Sequence, residues 1–312
     1  MKAIGGYFEL ECGHTPLYHQ EGIYLNICRS GLRYLIRTLG IKHMHVPIYT
    51  CHVVKDTISQ EGCEVINYHL TEDLMPAIDF PKDDYIVYNN YFGCLGNNVA
   101  ELAKRYPNLI VDNAQAFYAT PKGRADIYSP RKFFGLPDSG ILKGRDIPHL
   151  DLPQGHSINV SSHLLRRLDF DAQAGYKEFA RNDEALEKYP LERISPLTLA
   201  LMGNINYEEA KHKRMVNFNY LNQHLQSNFP FAMTEDDVPM VYPLYLENGD
   251  EVRTKLIQSQ IFVARYWPNV LNDAKPTDFE FSLTMNILPL PIDQRYDKED
   301  MNRIIEIIKN IK

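Results

Sequence analysis

With 312 residues, 44% of them apolar, the chain has room for about two domains and can bury a full core without disulfide or metal staples. A formal charge of −7 and a pI near 5.9 argue against a nucleic-acid binder, which carries a basic stripe. The five cysteines (Cys12, Cys28, Cys51, Cys63, Cys94) are odd in number and form no Cys-x-x-Cys pair, so reduced thiols fit better than a disulfide framework or a zinc knuckle. No run of ~18 apolar residues suits a membrane span, and the first residues lack the apolar core of a signal peptide. The expectation is a soluble, cytoplasmic protein with no metal site and no nucleic-acid or membrane partner.

Two short apolar pieces, 7–10 and 23–28, open the chain. Ser30 then reads as an N-cap for a helix in which Leu32, Leu35, Ile36 and Leu39 recur at helical spacing, with Gly40 as the stop. Free amides at such a start suit a phosphate, and Gly31 would let a ligand approach the backbone; the plainer reading of Ser-Gly here is a cap alone. Residues 44–49 read as a strand, 50–60 as a helix, 64–69 as a strand and 70–81 as a loop. A strand over 84–91 and a helix over 98–106 lead to a strand over 108–111, whose apolar run Leu109-Ile110-Val111 stops at Asp112. A β-like segment follows at 125–128, then Ser129-Pro130-Arg131-Lys132, an aromatic pair and a turn-rich stretch to Gly140.

Residues 141–143 are strand-like, 161–194 mainly helical and 207–226 a further helix. Strands are expected at 241–246 and 261–266, a helix at 251–258, an extended piece at 288–292 and an amphipathic last helix at 298–311. Strands alternating with helices mean βαβ units and a mainly parallel sheet. The fold class expected is α/β, with a large α/β domain over 1–205 and a small α+β domain over 206–312.

In an open α/β sheet, ligands bind in the crevice beyond the carboxyl ends of the strands. Asp112 ends one strand and Lys132 lies just past the next, so both should face that crevice. Pyridoxal 5'-phosphate asks four things of a protein. It needs a lysine for a Schiff base, an acid at the ring nitrogen so that a protonated pyridinium serves as electron sink, a helix start for the phosphate and something flat over a ring face. Lys132, Asp112 and the Ser30-Gly31 helix start fill the first three, with Ser129 as an added phosphate donor. Taken singly, a strand-end Asp caps a helix and a loop Lys is solvated; together the residues match the needs of one cofactor.

Several motifs carry a resemblance. They are Ser30-Gly31-Leu32, Val46-Pro47-Ile48-Tyr49-Thr50, Asp112-Asn113-Ala114-Gln115-Ala116, and Ser129…Lys132-Phe133-Phe134-Gly135…Ser139-Gly140. Residues 26–52 and 84–145 resemble the DegT/DnrJ/StrS family of aminotransferases, which act on sugar nucleotides and share the aspartate-aminotransferase-like, type I pyridoxal-phosphate fold. The segment 288–292 and the helix after it resemble that family's last strand and helix. The resemblance implies Asp112 at the pyridine nitrogen, Gln115 near the ring hydroxyl, Lys132 as the Schiff-base lysine and Ser30, Gly31, Leu32 and Ser129 around the phosphate. It further implies an amino donor such as glutamate, a keto sugar nucleotide as acceptor, a place in amino-sugar or surface-polysaccharide synthesis, and a homodimer.

The chain departs from the family pattern in three places. Leu32 stands for a Thr. The spacing from Ser129 to Lys132 is two residues short, so the loop must be rebuilt. The position that stacks an aromatic ring on the cofactor falls at Cys51, with His52 and Tyr49 nearby as substitutes. These departures leave a second reading open, a non-catalytic relative that keeps the fold and binds a ligand or partner. Proton transfer by Lys132 needs a neutral amine, which leads one to expect it buried.

Other residues have two readings each. His43-x-His45 is a strand pair rather than a metal site, for want of a third ligand. Arg131 meets an anion or is a surface charge. Asn89-Asn90 line the pocket or serve as turn residues. Trp267, the only tryptophan, is expected to anchor the core rather than stack on a substrate.

Overall fold

The computed structural model describes residues 4–311. Along the chain, β1 (Ile23–Leu25) leads into α1 (Ser30–Leu39), β2 (His43–Pro47), α2 (His52–Gln60), β3 (Glu64–Tyr68) and β4 (Tyr85–Asn89). Then come α3 (Gly96–Arg105), β5 (Leu109–Asn113), β6 (Ala125–Tyr128) and β7 (Gly140–Gly144). The helices α4 (Ser162–Asp169), α5 (Ala172–Leu186), α6 (Pro196–Met202) and α7 (Tyr207–Leu225) follow. The rest is β8 (Val241–Tyr245), α8 (Gly249–Gln258), α9 (Val270–Asp273), α10 (Phe279–Asn286), β9 (Ile287–Pro291) and α11 (Lys298–Lys309). No helix among the described residues is long and apolar enough to cross a membrane.

Seven strands form one sheet in the order β1-β7-β6-β5-β4-β2-β3. The run β3-β2-β4-β5-β6 is parallel, and β7 lies antiparallel between β6 and β1. Strands β5 and β6 are buried along their whole length, as expected of parallel strands covered by helices on both faces. From β2 the chain passes outward to β3 and then returns to β4 on the other side of β2. The carboxyl ends of β2 and β4 therefore flank the switch point at which α/β sheets open a crevice. The register carries that crevice sideways, with Asn89 opposite Asp112 and Asp112 opposite Ile127.

Helix α1 packs tightly onto this sheet. A Cβ on Gly31 would come within 2.6 Å of Ile127 Cγ2, so the glycine serves helix–sheet contact. Its N-cap is Arg29, not Ser30 as the sequence suggested; the Ser30 hydroxyl donates to Asn26 Oδ1 at 2.8 Å instead. The competing acceptor lies four residues upstream, where cap statistics do not look.

Strands β8 and β9 pair antiparallel in a second, two-stranded sheet. Val252, Leu256, Leu288, Leu290, Ile304 and Ile308 bury the inner faces of α8, β9 and α11 in a core that continues to Ile86 and Val111 of the large sheet. The helical stretch 161–194 breaks at Phe170, and Asp171 caps α5 by accepting the Ala174 N–H at 2.8 Å. The strand expected at 261–266 is irregular chain. Ile261 and Val263 are buried while Phe262 is exposed, which imitates a strand period, but no neighbouring strand pairs with it. Helices α6, α9 and α10 carry no signal that the sequence reading used.

Candidate active site

A cavity of about 310 Å³ opens at the carboxyl ends of β2, β4, β5 and β6. Its wall includes seven of the nine residues singled out from sequence: Leu32, Cys51, His52, Asp112, Gln115, Ser129 and Lys132. Ser30 and Gly31 do not reach it. Both are fully packed at the start of α1, beneath the wall formed by Ile27, Cys28, Arg29 and Leu32.

Asp112 is buried, and its Oδ1 accepts the Ala114 N–H at 2.8 Å. Burial holds its carboxyl above the usual carboxylate range, against the opposing charge of Lys132 and the Ala114 bond. Lys132 stands beyond β6 on a single 3-10 turn, Pro130–Lys132. The Lys132 N–H donates to Ser129 O at 3.1 Å, and Phe133 N–H donates to Pro130 O at 2.9 Å. This turn accommodates the short spacing from Ser129. The lysine itself is exposed, contrary to the burial expected of it; with so short a turn after the strand, its side chain starts at the cavity's edge.

The residues after Lys132 are held more firmly. Phe133 and Phe134 are buried in an aromatic cluster with Phe117, Tyr118 and Tyr207. The buried Arg214 of α7 lies over the Phe133 ring at 4.5 Å and donates to the carbonyls of Phe133 (3.2 Å) and Met240 (3.0 Å). Gln294 donates to the same Phe133 carbonyl at 2.8 Å.

Two buried amides in the cavity wall are half-satisfied. Gln115 accepts the Phe92 N–H through Oε1 at 2.9 Å, and its Nε2 has no partner among the described residues. Asn89 donates to Thr50 Oγ1 at 2.9 Å, and its Oδ1 has none. Buried polar atoms left unpaired cost about 1–3 kcal/mol each, so this donor and acceptor suit a polar ligand. Behind them, Asn90, Asn113 and Asp126 form a buried chain of hydrogen bonds. Burial pushes the Asp126 carboxyl up to about 7, although three N–H groups donate to it.

Cys51 caps α2 from an extended conformation, and its thiol is pushed up by burial. Tyr49 is buried, its hydroxyl has no partner among the described residues, and it does not line the cavity. The aromatic surface comes from Tyr266 and Trp267, so Trp267 both anchors the core, as expected, and walls the cavity. His52 lies 3.6 Å from Glu187, and Arg131 forms an ion pair with Asp183 at 2.8 Å, so two side-chain contacts tie the end of α5 across the opening. His43 and His45 both bond to Asp84, at 3.1 and 2.9 Å. The sequence reading missed Arg29, Thr50, Asp183 and Glu187. A cation directly before the Ser-Gly pair was a usable signal for Arg29; nothing local marks the other three.

No protein-family model matches the chain, and no curated protein matches it by sequence. Solved structures match it by shape. A DegT DnrJ EryC1 StrS aminotransferase from Brucella abortus superposes with a TM-score of 0.60 at 17% identity, covering 93% of this chain and 85% of that one. A Streptococcus pneumoniae protein described as a sugar aminotransferase, in its PLP form, gives 0.63 at 13% identity over 93% and 86% of the two chains. NtdA from Bacillus subtilis with bound cofactor PMP gives 0.64 at 15% identity over 93% and 73%. The likeness establishes the fold: the chain has the α/β fold of the PLP-dependent aminotransferases, as its sequence led us to expect.

Proposed function

We propose that the chain is a pyridoxal-phosphate-dependent aminotransferase that takes an amino donor such as glutamate and a keto sugar nucleotide as acceptor. The observation that carries this reading is the convergence of Asp112 and Lys132 on one cavity whose wall also holds the unpaired Nε2 of Gln115. A pyridine ring with a nitrogen to face Asp112 and a hydroxyl to accept from Gln115 fits that set. Two of the neighbouring structures are described with PLP or PMP.

The cofactor would supply a carbonyl carbon and an electron-withdrawing ring. Lys132 would bond that carbon, give it up to the donor and then carry the proton between substrate and cofactor carbon. Asp112 would keep the ring nitrogen protonated, since a buried carboxylate lowers its cost by facing a cation. Gln115 would fix the ring's orientation, and Ser129 would donate to the phosphate. Tyr266 and Trp267 would exclude water from one side, and Cys51 and His52 would border the ring.

We place the enzyme in amino-sugar or surface-polysaccharide synthesis in the cytoplasm, working as a homodimer. Exposed Leu165, Leu168, Phe170 and Tyr176 on α4, α5 and the turn between them support the dimer, as do exposed Tyr7 and Phe8 near the chain start. One observation favours the alternative, a non-catalytic relative that binds a ligand or partner: Lys132 is exposed and its turn is short. Protein mixed with pyridoxal phosphate should absorb near the visible edge, Lys132→Ala should lose that band, and glutamate should bleach it in the native protein. A colourless protein that takes up no cofactor refutes the aminotransferase reading. Uptake without bleaching by any amino donor selects the non-catalytic one.

A further inference from the structure

A pyridoxal phosphate brings a phosphate monoester of charge about −1.5 to −2 into the cavity, and the usual host for such an anion is a row of free N–H groups at a helix start. Helix α1 does not offer that row. The Ser30 N–H donates to Ile27 O at 3.2 Å, the Gly31 N–H to Cys28 O at 2.9 Å, the Leu32 N–H to Arg29 O at 3.0 Å and the Arg33 N–H to the same carbonyl at 3.3 Å. The turn before the helix has already taken up its leading amides. The Ser30 hydroxyl is committed to Asn26.

What this chain places at the cavity in their stead is a side chain. Arg29, the N-cap of α1, lines the wall beside Leu32. It is half-buried, and among the described residues no carboxylate lies within ion-pair distance of it, whereas its neighbour Arg131 is held by Asp183 at 2.8 Å. A partly desolvated guanidinium without an anion is costly. Ser129 approaches the same end of the cavity, because Gly31 sits on Ile127 and Ser129 follows two residues later on the same strand exit. We infer that Arg29 anchors the cofactor phosphate through its guanidinium, replacing the amide cradle that α1 lacks. The inference rests on the cofactor reading above and concerns which group of this chain holds the anion. A guanidinium fork matches phosphate oxygens two at a time, which an ammonium does not.

The test compares pyridoxal phosphate with pyridoxal, which lacks only the anion. Both are titrated by absorbance into the full chain and into Arg29→Gln and Arg29→Lys. Arg29→Gln should weaken pyridoxal phosphate roughly tenfold to a hundredfold, the worth of a hydrogen bond to a charged group, and leave pyridoxal within about twofold. Arg29→Lys should fall between, and it carries the test alone if the glutamine variant does not fold. Inorganic phosphate should compete with the cofactor in the native chain and lose that effect in Arg29→Gln. A variant that keeps the native preference for pyridoxal phosphate over pyridoxal overturns the role of Arg29 and leaves the cofactor reading standing. A native chain that binds neither compound overturns both.

Discussion

Gln115 accepts the backbone N–H of Phe92 through Oε1 at 2.9 Å, and that bond decides which half of the amide remains for a ligand. Phe92 occupies the turn after β4 with φ at 58°, in the left-handed region, so its N–H is aimed by the backbone and needs an acceptor there. Nε2 is consequently the atom left over. Gln115→Ala should cost about 1–3 kcal/mol of stability in urea, because a buried N–H loses its acceptor. Gln115→Glu keeps the acceptor and should stay near native stability at acid pH, where the buried carboxyl holds its proton, and lose stability as pH rises; at neutral pH it should bind pyridoxal phosphate at least about tenfold more weakly, with a carboxylate where a donor stood. Equal cofactor affinity in the glutamate variant would show that Nε2 does not serve the ring.

The buried chain of hydrogen bonds behind the cavity has a direction. Asn90 Oδ1 accepts the Leu95 N–H at 3.3 Å and its Nδ2 donates to Asn113 Oδ1 at 3.1 Å. Asn113 Nδ2 donates to Asp126 Oδ1 at 2.9 Å, while the Lys122 and Gly123 N–H groups donate to Asp126 Oδ2 at 3.2 and 2.9 Å. Every link donates toward Asp126. Burial lifts its carboxyl from 3.8 to about 7. Between those values the folded chain keeps a proton that the unfolded chain has released, so this group's contribution to stability falls as pH rises through that window. Asp126→Asn should flatten the decline; its own cost of about 1–3 kcal/mol, from an amide NH₂ that must oppose Asn113 or the turn N–H groups, should show at the acid end of the window and shrink against the native chain as pH rises. Urea titrations between pH 4.5 and 7.5 read both effects, and an unchanged slope in the variant counts against the assignment.

Asp112 and Lys132 were legible because each is marked locally. One stops an apolar run, and the other follows the next β-like segment after a Ser-Pro turn. The parallel sheet was legible for the same reason, since buried strands such as 109–113 are continuous apolar runs. Ser30 misled because its hydroxyl donates to Asn26 Oδ1 and accepts no helix N–H as a cap would. Asp183 and Glu187 could not be found: nothing in an ordinary helical stretch says which turn will fold over the mouth of a cavity built by β5 and β6. The same holds for Tyr266, whose place in the wall depends on a segment that imitates a strand and is not one.

Arg214 is the support behind Lys132. Its guanidinium is buried, brought down to about 10 by that burial, and spends its donors on Phe133 O, Met240 O and Gln294 Oε1. Arg214→Lys keeps a charge but loses the planar fork that reaches three acceptors at once. Its stability should drop by about 1–3 kcal/mol as carbonyls go unpaired. If the Phe133 anchor also positions Lys132, the variant's kcat should fall while KM for the amino donor stays within about twofold, since the contact acts on the reacting amine and not on donor binding. A stability loss with an unaltered kcat would confine Arg214 to packing.

Trp267 provides a reporter because it is the only tryptophan and forms part of the cavity wall. It is 8% exposed and meets Tyr49 edge-on at 5.0 Å between ring centroids. Removing so large a buried ring is expensive: Trp267→Ala should destabilise the chain by about 3–5 kcal/mol, whereas Trp267→Phe keeps most of the apolar contact and should lose less. Indole emission of the native chain should be nearly abolished as pyridoxal phosphate is added, saturating together with the visible band. In Lys132→Ala the quenching should persist at higher cofactor concentration, since the ring can still enter the cavity without a covalent tie. A visible band that develops while the indole emission stays constant would put the ring somewhere other than between Asp112 and Trp267.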